Sequence, residues 1–182
     1  METLEKIADD IINEYGNEST TTRPDILALV RQKGFLVGNV DMDDADGFLI
    51  VNDKEIVAGF SSNKIIGVNS KKDLKSKRFI IAQEFSFYEL LKRRNPGESL
   101  KIARRDSFRR RNKEERLVDY VAANLLMPTK LFTAQKKELE KKGKAERKII
   151  VNLSDYYDVP VKIAKQRMDQ IKKAKKEGNR HV

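Results

Sequence analysis

The stretch RFIIAQEFSFYELL, Arg78 to Leu91, constrains this chain more than any other. It is apolar over a helical length, so a helix formed there needs neighbours on several sides. On a 3.6-residue period Ile80, Gln83, Glu84, Phe87 and Leu91 share one face, and Ile81, Phe85 and Tyr88 the adjacent one. Glu84 therefore falls on an apolar surface, where an ionised carboxylate is costly unless something pairs with it.

The flanking sequence predicts what surrounds that helix. Leu4 to Tyr15 repeats apolar residues at helical spacing, and Gly16 can end it. Thr22 and Pro24 mark a second start, with Asp25 in the first turn, Ile26 to Val30 apolar, and Lys33-Gly34 closing it. Phe35–Val40, Phe48–Val51, Glu55–Ala58 and Ile65–Val68 read as short strands, with a turn at Asn52-Asp53. The acidic run from Asp41 to Gly47 does not fit a calcium loop, because aligning Gly47 with the loop glycine puts Met42 at the first ligand place. A solvated acidic turn is expected there. Helices then follow over Leu117–Leu126, from Leu131 to about Lys142, over Ala145–Tyr157, and from Val161 to about Lys176. This order predicts an α+β fold, helices around a small, mostly antiparallel sheet. Residues 1–142 form the main domain, and 143–182 a helical pair packed on it or appended to it.

Charge is unevenly spread. Residues 1–62 carry 13 acidic and 5 basic side chains; residues 63–182 carry 15 and 33. Arg104, Arg105, Arg109, Arg110 and Arg111 crowd a segment, 92–113, that reads as a mobile basic excursion and a candidate surface for nucleic acid or an acidic partner. There is no cysteine, and the one histidine is His181. Thiolate and multi-histidine metal sites are thereby excluded. No run suits a membrane span and no signal peptide is evident, which fits a cytoplasmic protein.

Arg-Phe-x-Ile-Ala, a His-Glu-x-x-His place and Tyr-x-Leu-Leu together resemble the active-site helix of the ImmA/IrrE zinc metallopeptidases. The later run from Glu115 to Pro128 is similar to the family's Glu-x-x-Ala and Leu-Leu-Met-Pro block, with Val118 and Val121 replacing the usual Ala and Phe. The resemblance implies a zincin-like scaffold. It puts Gln83 at the first histidine place and Phe87 at the second, Glu84 at the catalytic base and Glu115 at the third zinc ligand. An amide is a weak zinc ligand and a benzyl group is none. The expectation is a non-catalytic relative with vestigial metal positions and no cofactor, although active relatives use zinc. Such a chain would act as a regulatory or protein-interaction module of the kind found in bacterial or phage mobile elements, with a helix-turn-helix repressor as its partner. Nucleic-acid binding through the arginines and basic C-terminal helices is the alternative, and residual hydrolysis the least favoured. Two carboxylates sharing a metal-free site would raise each other's pKa. An Arg or Lys, with Arg78 and Arg116 as candidates, is therefore expected in the vacated space.

Overall fold

The computed structural model describes residues 3–15, 22–106 and 112–178. Among them are seven helices and four strands: α1 (Leu4–Tyr15), α2 (Ile26–Gln32), β1 (Leu36–Val40), β2 (Gly47–Asn52), β3 (Lys64–Asn69), α3 (Leu74–Arg94), β4 (Lys101–Asp106), α4 (Lys113–Leu126), α5 (Thr129–Lys141), α6 (Glu146–Tyr157) and α7 (Val161–Gly178).

The central helix α3 is longer than its apolar run. Asp73 starts it, its carboxylate accepting from the Ser76 backbone N–H at 3.0 Å. Asn95 ends it, its N–H and side-chain amide both donating to Leu91 O. Phe79 to Ser86 are all buried, so the helix is enclosed on every side over two turns. Phe85 and Tyr88 meet the ring of Phe35 edge-on at 6.0 and 5.0 Å, and Tyr15 closes on Phe85 at 5.5 Å. These contacts clamp α1 and the start of β1 to α3. Removing the Asp73 cap by Asp73→Ala should cost about 1 kcal/mol at neutral pH. Its hydrogen bonds to Ser76 hold the Asp73 pKa below the usual carboxylate value. The stabilisation is therefore complete above the unfolded pKa and fades as pH falls through the lower folded one. Denaturant midpoints of the two proteins should converge in acid and separate at neutrality.

The sheet has the order β1-β3-β2-β4. β2 runs antiparallel to both β3 and β4, while β1 runs parallel to β3. The alternating burial of β2 and the near-complete burial of β3 place these two strands under α3, with β1 and β4 at the edges. Phe48 lies across Gly67, its direct cross-strand partner; a Cβ on Gly67 would sit 2.0 Å from the ring.

Three expectations need correction. Glu55–Ala58 is not a strand: the chain turns after Asn52, and Val57 bonds Ser62 across a loop whose Gly59 has φ +82°. Asp25 is the N-cap of α2 and not a first-turn residue, its side chain accepting from Leu27 and Ala28 N–H. The segment 92–113 is not all surface excursion, because residues 101–106 form β4 in register from Asn52↔Lys101 to Gly47↔Asp106. A charged sequence can form an edge strand, since the ladder uses the backbone and edge positions favour charge. Asp53 fixes where β4 begins, its N–H donating to Leu100 O and its carboxylate accepting from Leu100 N–H, each at 3.0 Å.

The last two helices share one apolar cluster with the rest of the chain through Ile149, Leu153, Tyr157, Ala164 and Met168. A buried cation joins them to the corner between α4 and α5. Arg167, 2% exposed, donates from Nε to Met127 O at 3.0 Å and from its guanidinium to Thr129 Oγ1 at 2.6 Å. A third bond runs to Gln170 Oε1 at 3.3 Å. Burial lowers its pKa to about 10, so it remains charged at neutral pH.

Candidate functional site

The middle of α3 faces α4 on one side and the end of β2 on another. Gln83, 6% exposed, donates from Nε2 to Asp119 Oδ1 on α4 at 2.6 Å. This bond joins the two helices at position 83. Glu84 is fully buried. Its Oε1 lies beside Gly47, 3.9 Å from where a Cβ there would stand. Phe87 is half-buried and packs against the main apolar cluster. Ser86 is buried and returns its hydroxyl to Ala82 O at 2.6 Å, one turn back along α3.

Gly47 is what lets β2 come this close. A Cβ there would lie 2.5 Å from Ile80 Cγ2 and 3.0 Å from the carbonyl oxygen of Gly67. The side chain could move, but the backbone carbonyl belongs to the neighbouring strand. Gly47→Ala should therefore destabilise the protein by about 2 kcal/mol, measurable as a lower urea midpoint.

Glu115 has another use. Its Oε2 accepts from the Asn112 backbone N–H at 3.1 Å, while its own N–H donates to Asn112 Oδ1 at 2.8 Å. That reciprocal pair is a capping box that starts α4. The expected cations are elsewhere. Arg78 donates to the backbone carbonyls of Tyr157 and Pro24, and Arg116 is exposed on α4 beside a groove against α1. Neither occupies the vacated space. Arg104 and Arg105 have their backbones in β4. Their side chains, and all of Arg109, Arg110 and Arg111, lie outside the described residues.

Sequence reasoning missed Asp119, since no spacing rule ties position 83 to position 119. It also passed over the role of Asn69. The Asn69 amide donates to Met42 O and Ala45 O, each at 2.7 Å, and so fixes the acidic turn before Gly47. Lys71 Nζ sits 2.9 Å from both Asp41 and Asp43, and Lys72 pairs with Asp46. Lysines fill that turn, as a solvated acidic loop would have it.

A cleft of about 180 Å3 opens beside Gln83. Its walls include Asp46 and Lys72 from the sheet side, Phe79 and Ile80 from α3, and Lys162 and Gln166 from α7.

The family model for the IrrE N-terminal-like domain, Peptidase M78, matches residues 34–169. The chain belongs to this family. A Mycobacterium tuberculosis transcriptional regulator aligns over 92% of this chain and 47% of its own, with 16% identity and a TM-score of 0.49. The chain thus spans about half the length of that protein. A search of curated proteins found no significant match.

This IrrE N-terminal-like chain carries an amide at position 83 and a phenyl ring at position 87. The zinc of active relatives does not fit the side chains present. Gln83 is engaged with Asp119, Phe87 offers no donor, and Glu115 serves the cap of α4. Among the described residues no three His, Cys, Asp or Glu side chains are grouped to hold a metal. None of the described helices is long and apolar enough to cross a membrane.

Proposed function

We propose that this chain is a non-catalytic IrrE N-terminal-like protein that binds another protein and does not cut it. The observation that supports this reading is the use made of the two histidine positions. One ties α3 to α4 through the Gln83–Asp119 hydrogen bond, and the other adds apolar packing through Phe87. Side chains committed to holding helices together leave the scaffold and its cleft intact while removing metal-assisted hydrolysis, which needs three ligands and an open position.

The cleft beside Gln83 is the proposed contact surface. It combines apolar walls, Phe79 and Ile80, with polar groups at its rim, Asp46, Lys72, Lys162 and Gln166. This composition suits a protein segment that inserts an apolar side chain between charged contacts. A helix-turn-helix repressor is the partner class that the family's cleaving members imply. A pull-down with a repressor encoded beside this chain tests the reading. Retention of uncut repressor is expected, unaffected by chelator and weakened about tenfold by Lys162→Glu. Repressor cleavage that a chelator blocks would refute it.

The excess of basic residues after position 62 supports a second reading, contact with nucleic acid. Phosphate contacts release counterions, so affinity for a duplex would fall steeply as salt rises. Affinity insensitive to salt, or none at low salt, removes this alternative.

A further inference from the structure

At the C-terminal end of α3 a second concavity, of about 630 Å3, lies between α1, α2, β3 and the turn that follows α3. Its size is that of a small-molecule site, for which about 300–1,000 Å3 is usual. Four cations line it: Lys33 from the close of α2, Lys64 from β3, and Lys92 and Arg93 from the last turn of α3. Basic residues ending a helix are expected from its dipole alone. Lys33 and Lys64 come from other elements, and that explanation does not reach them.

The four are not equivalent. Arg93 is taken up by Glu14 and Glu89, and Lys33 stands 3.9 Å from Glu14. Lys64 and Lys92 have no carboxylate within ion-pair distance among the described residues. Both face one aromatic ring: Lys64 Nζ is 5.1 Å and Lys92 Nζ 5.4 Å from the centroid of Tyr88. Lys64 also lies 5.6 Å from the ring of Phe35 and donates to Lys33 O at 3.4 Å. Lys92 donates to Tyr88 Oη at 3.1 Å. Ring faces and neutral oxygens hold an ammonium in place without cancelling its charge. Two positive charges thus face one ring, neither of them in an ion pair among the described residues. The hydrogen bond to Tyr88 raises the Lys92 pKa against the opposing effect of burial, so the group stays charged.

We propose that this concavity binds a small oligophosphate, with Lys64 and Lys92 as its principal contacts and Lys33 at its edge. Two separated ammonium groups call for a ligand carrying at least two charges. The faces of Tyr15 and Tyr88 are already covered by cations, so no flat ring is required of the ligand. Glu89 and Glu98 in the lining disfavour a long, uniformly charged backbone such as a nucleic acid strand. A free phosphate chain and the triphosphate tail of a nucleotide share the chemistry that the site recognises.

The test is calorimetric titration of the whole chain with tripolyphosphate at low salt, and separately with a nucleoside triphosphate. One saturable site is expected. Equal affinity for the two ligands assigns the site to the phosphate chain alone, and tighter nucleotide binding adds a contact to the base or sugar. Lys64→Gln combined with Lys92→Gln should weaken binding at least about tenfold, while Lys148→Gln, on the exposed face of α6, leaves it unchanged. The melting temperature of each variant separates lost binding from lost folding; if the double variant does not fold, each single substitution is titrated alone. No saturable heat with either ligand overturns the proposal. So does equal loss in the Lys148→Gln control, or binding confined to an oligonucleotide.

Discussion

Gln83→His combined with Phe87→His should convert this chain into a zinc-binding protein. The two positions are one turn apart on α3, position 83 buried and position 87 half-buried, so imidazoles placed there would project from one face. Asp119 already accepts a hydrogen bond from the residue at position 83. It is placed to do the same for an imidazole N–H, which orients a zinc-bound histidine and raises its basicity. Glu115 would supply the third ligand by leaving its cap on Asn112, a loss of about 1 kcal/mol that zinc binding would outweigh. Metal analysis of protein purified without chelator should find close to one zinc per chain in the double variant. The unsubstituted protein should hold less than a tenth of that. Adding Asp119→Asn should weaken zinc affinity about tenfold or more, and Glu115→Gln should weaken it further still. If the double variant holds no zinc while remaining folded, α3 and α4 do not stand as a metal site requires.

The second large effect concerns Arg167. Arg167→Ala would leave the buried carbonyl of Met127 without its donor and would open a cavity there, while the exposed Thr129 hydroxyl would turn to water. One unsatisfied buried group costs about 1–3 kcal/mol, and the cavity adds to it. The substitution should therefore cost about 3 kcal/mol, or roughly 6–12 °C in melting temperature for a chain of this size. Arg167→Lys should recover only part, because an ammonium cannot reach both oxygens with the planar fork of a guanidinium. Differential scanning calorimetry of the three proteins decides it. A shift under 1 °C for Arg167→Ala would mean that α7 is held to α4 by apolar contact alone.

Much of the architecture was legible because apolar spacing carries it. The α3 pattern, the first two helices, three of the four strands and the helical C-terminal part all follow from periodicity. What periodicity does not encode was missed. β4 reads KIARRD, with a single large apolar residue, Ile102, facing the core; its pairing is a matter of backbone register with a strand far back in the chain. Glu55–Ala58 has the composition of a strand, but Asn52 accepts from the Lys54 N–H at 3.3 Å and turns the chain away. The candidate site was legible only as a set of positions that the family resemblance marks. Its actual bonds were not: Gln83 with Asp119, and Glu115 with Asn112, depend on side-chain direction across and along helices, which sequence spacing leaves open.

The distant origin of β4 shapes how the molecule opens. Its partner β2 is laid down before α3, and β4 only after it, so a loop spanning the whole central helix must close before the pairing forms. Bonded on one side only, at the rim, this last strand is the natural first piece to detach. Amide exchange along Lys101–Asp106 should run ahead of exchange in β3, a release of that margin without melting of the interior.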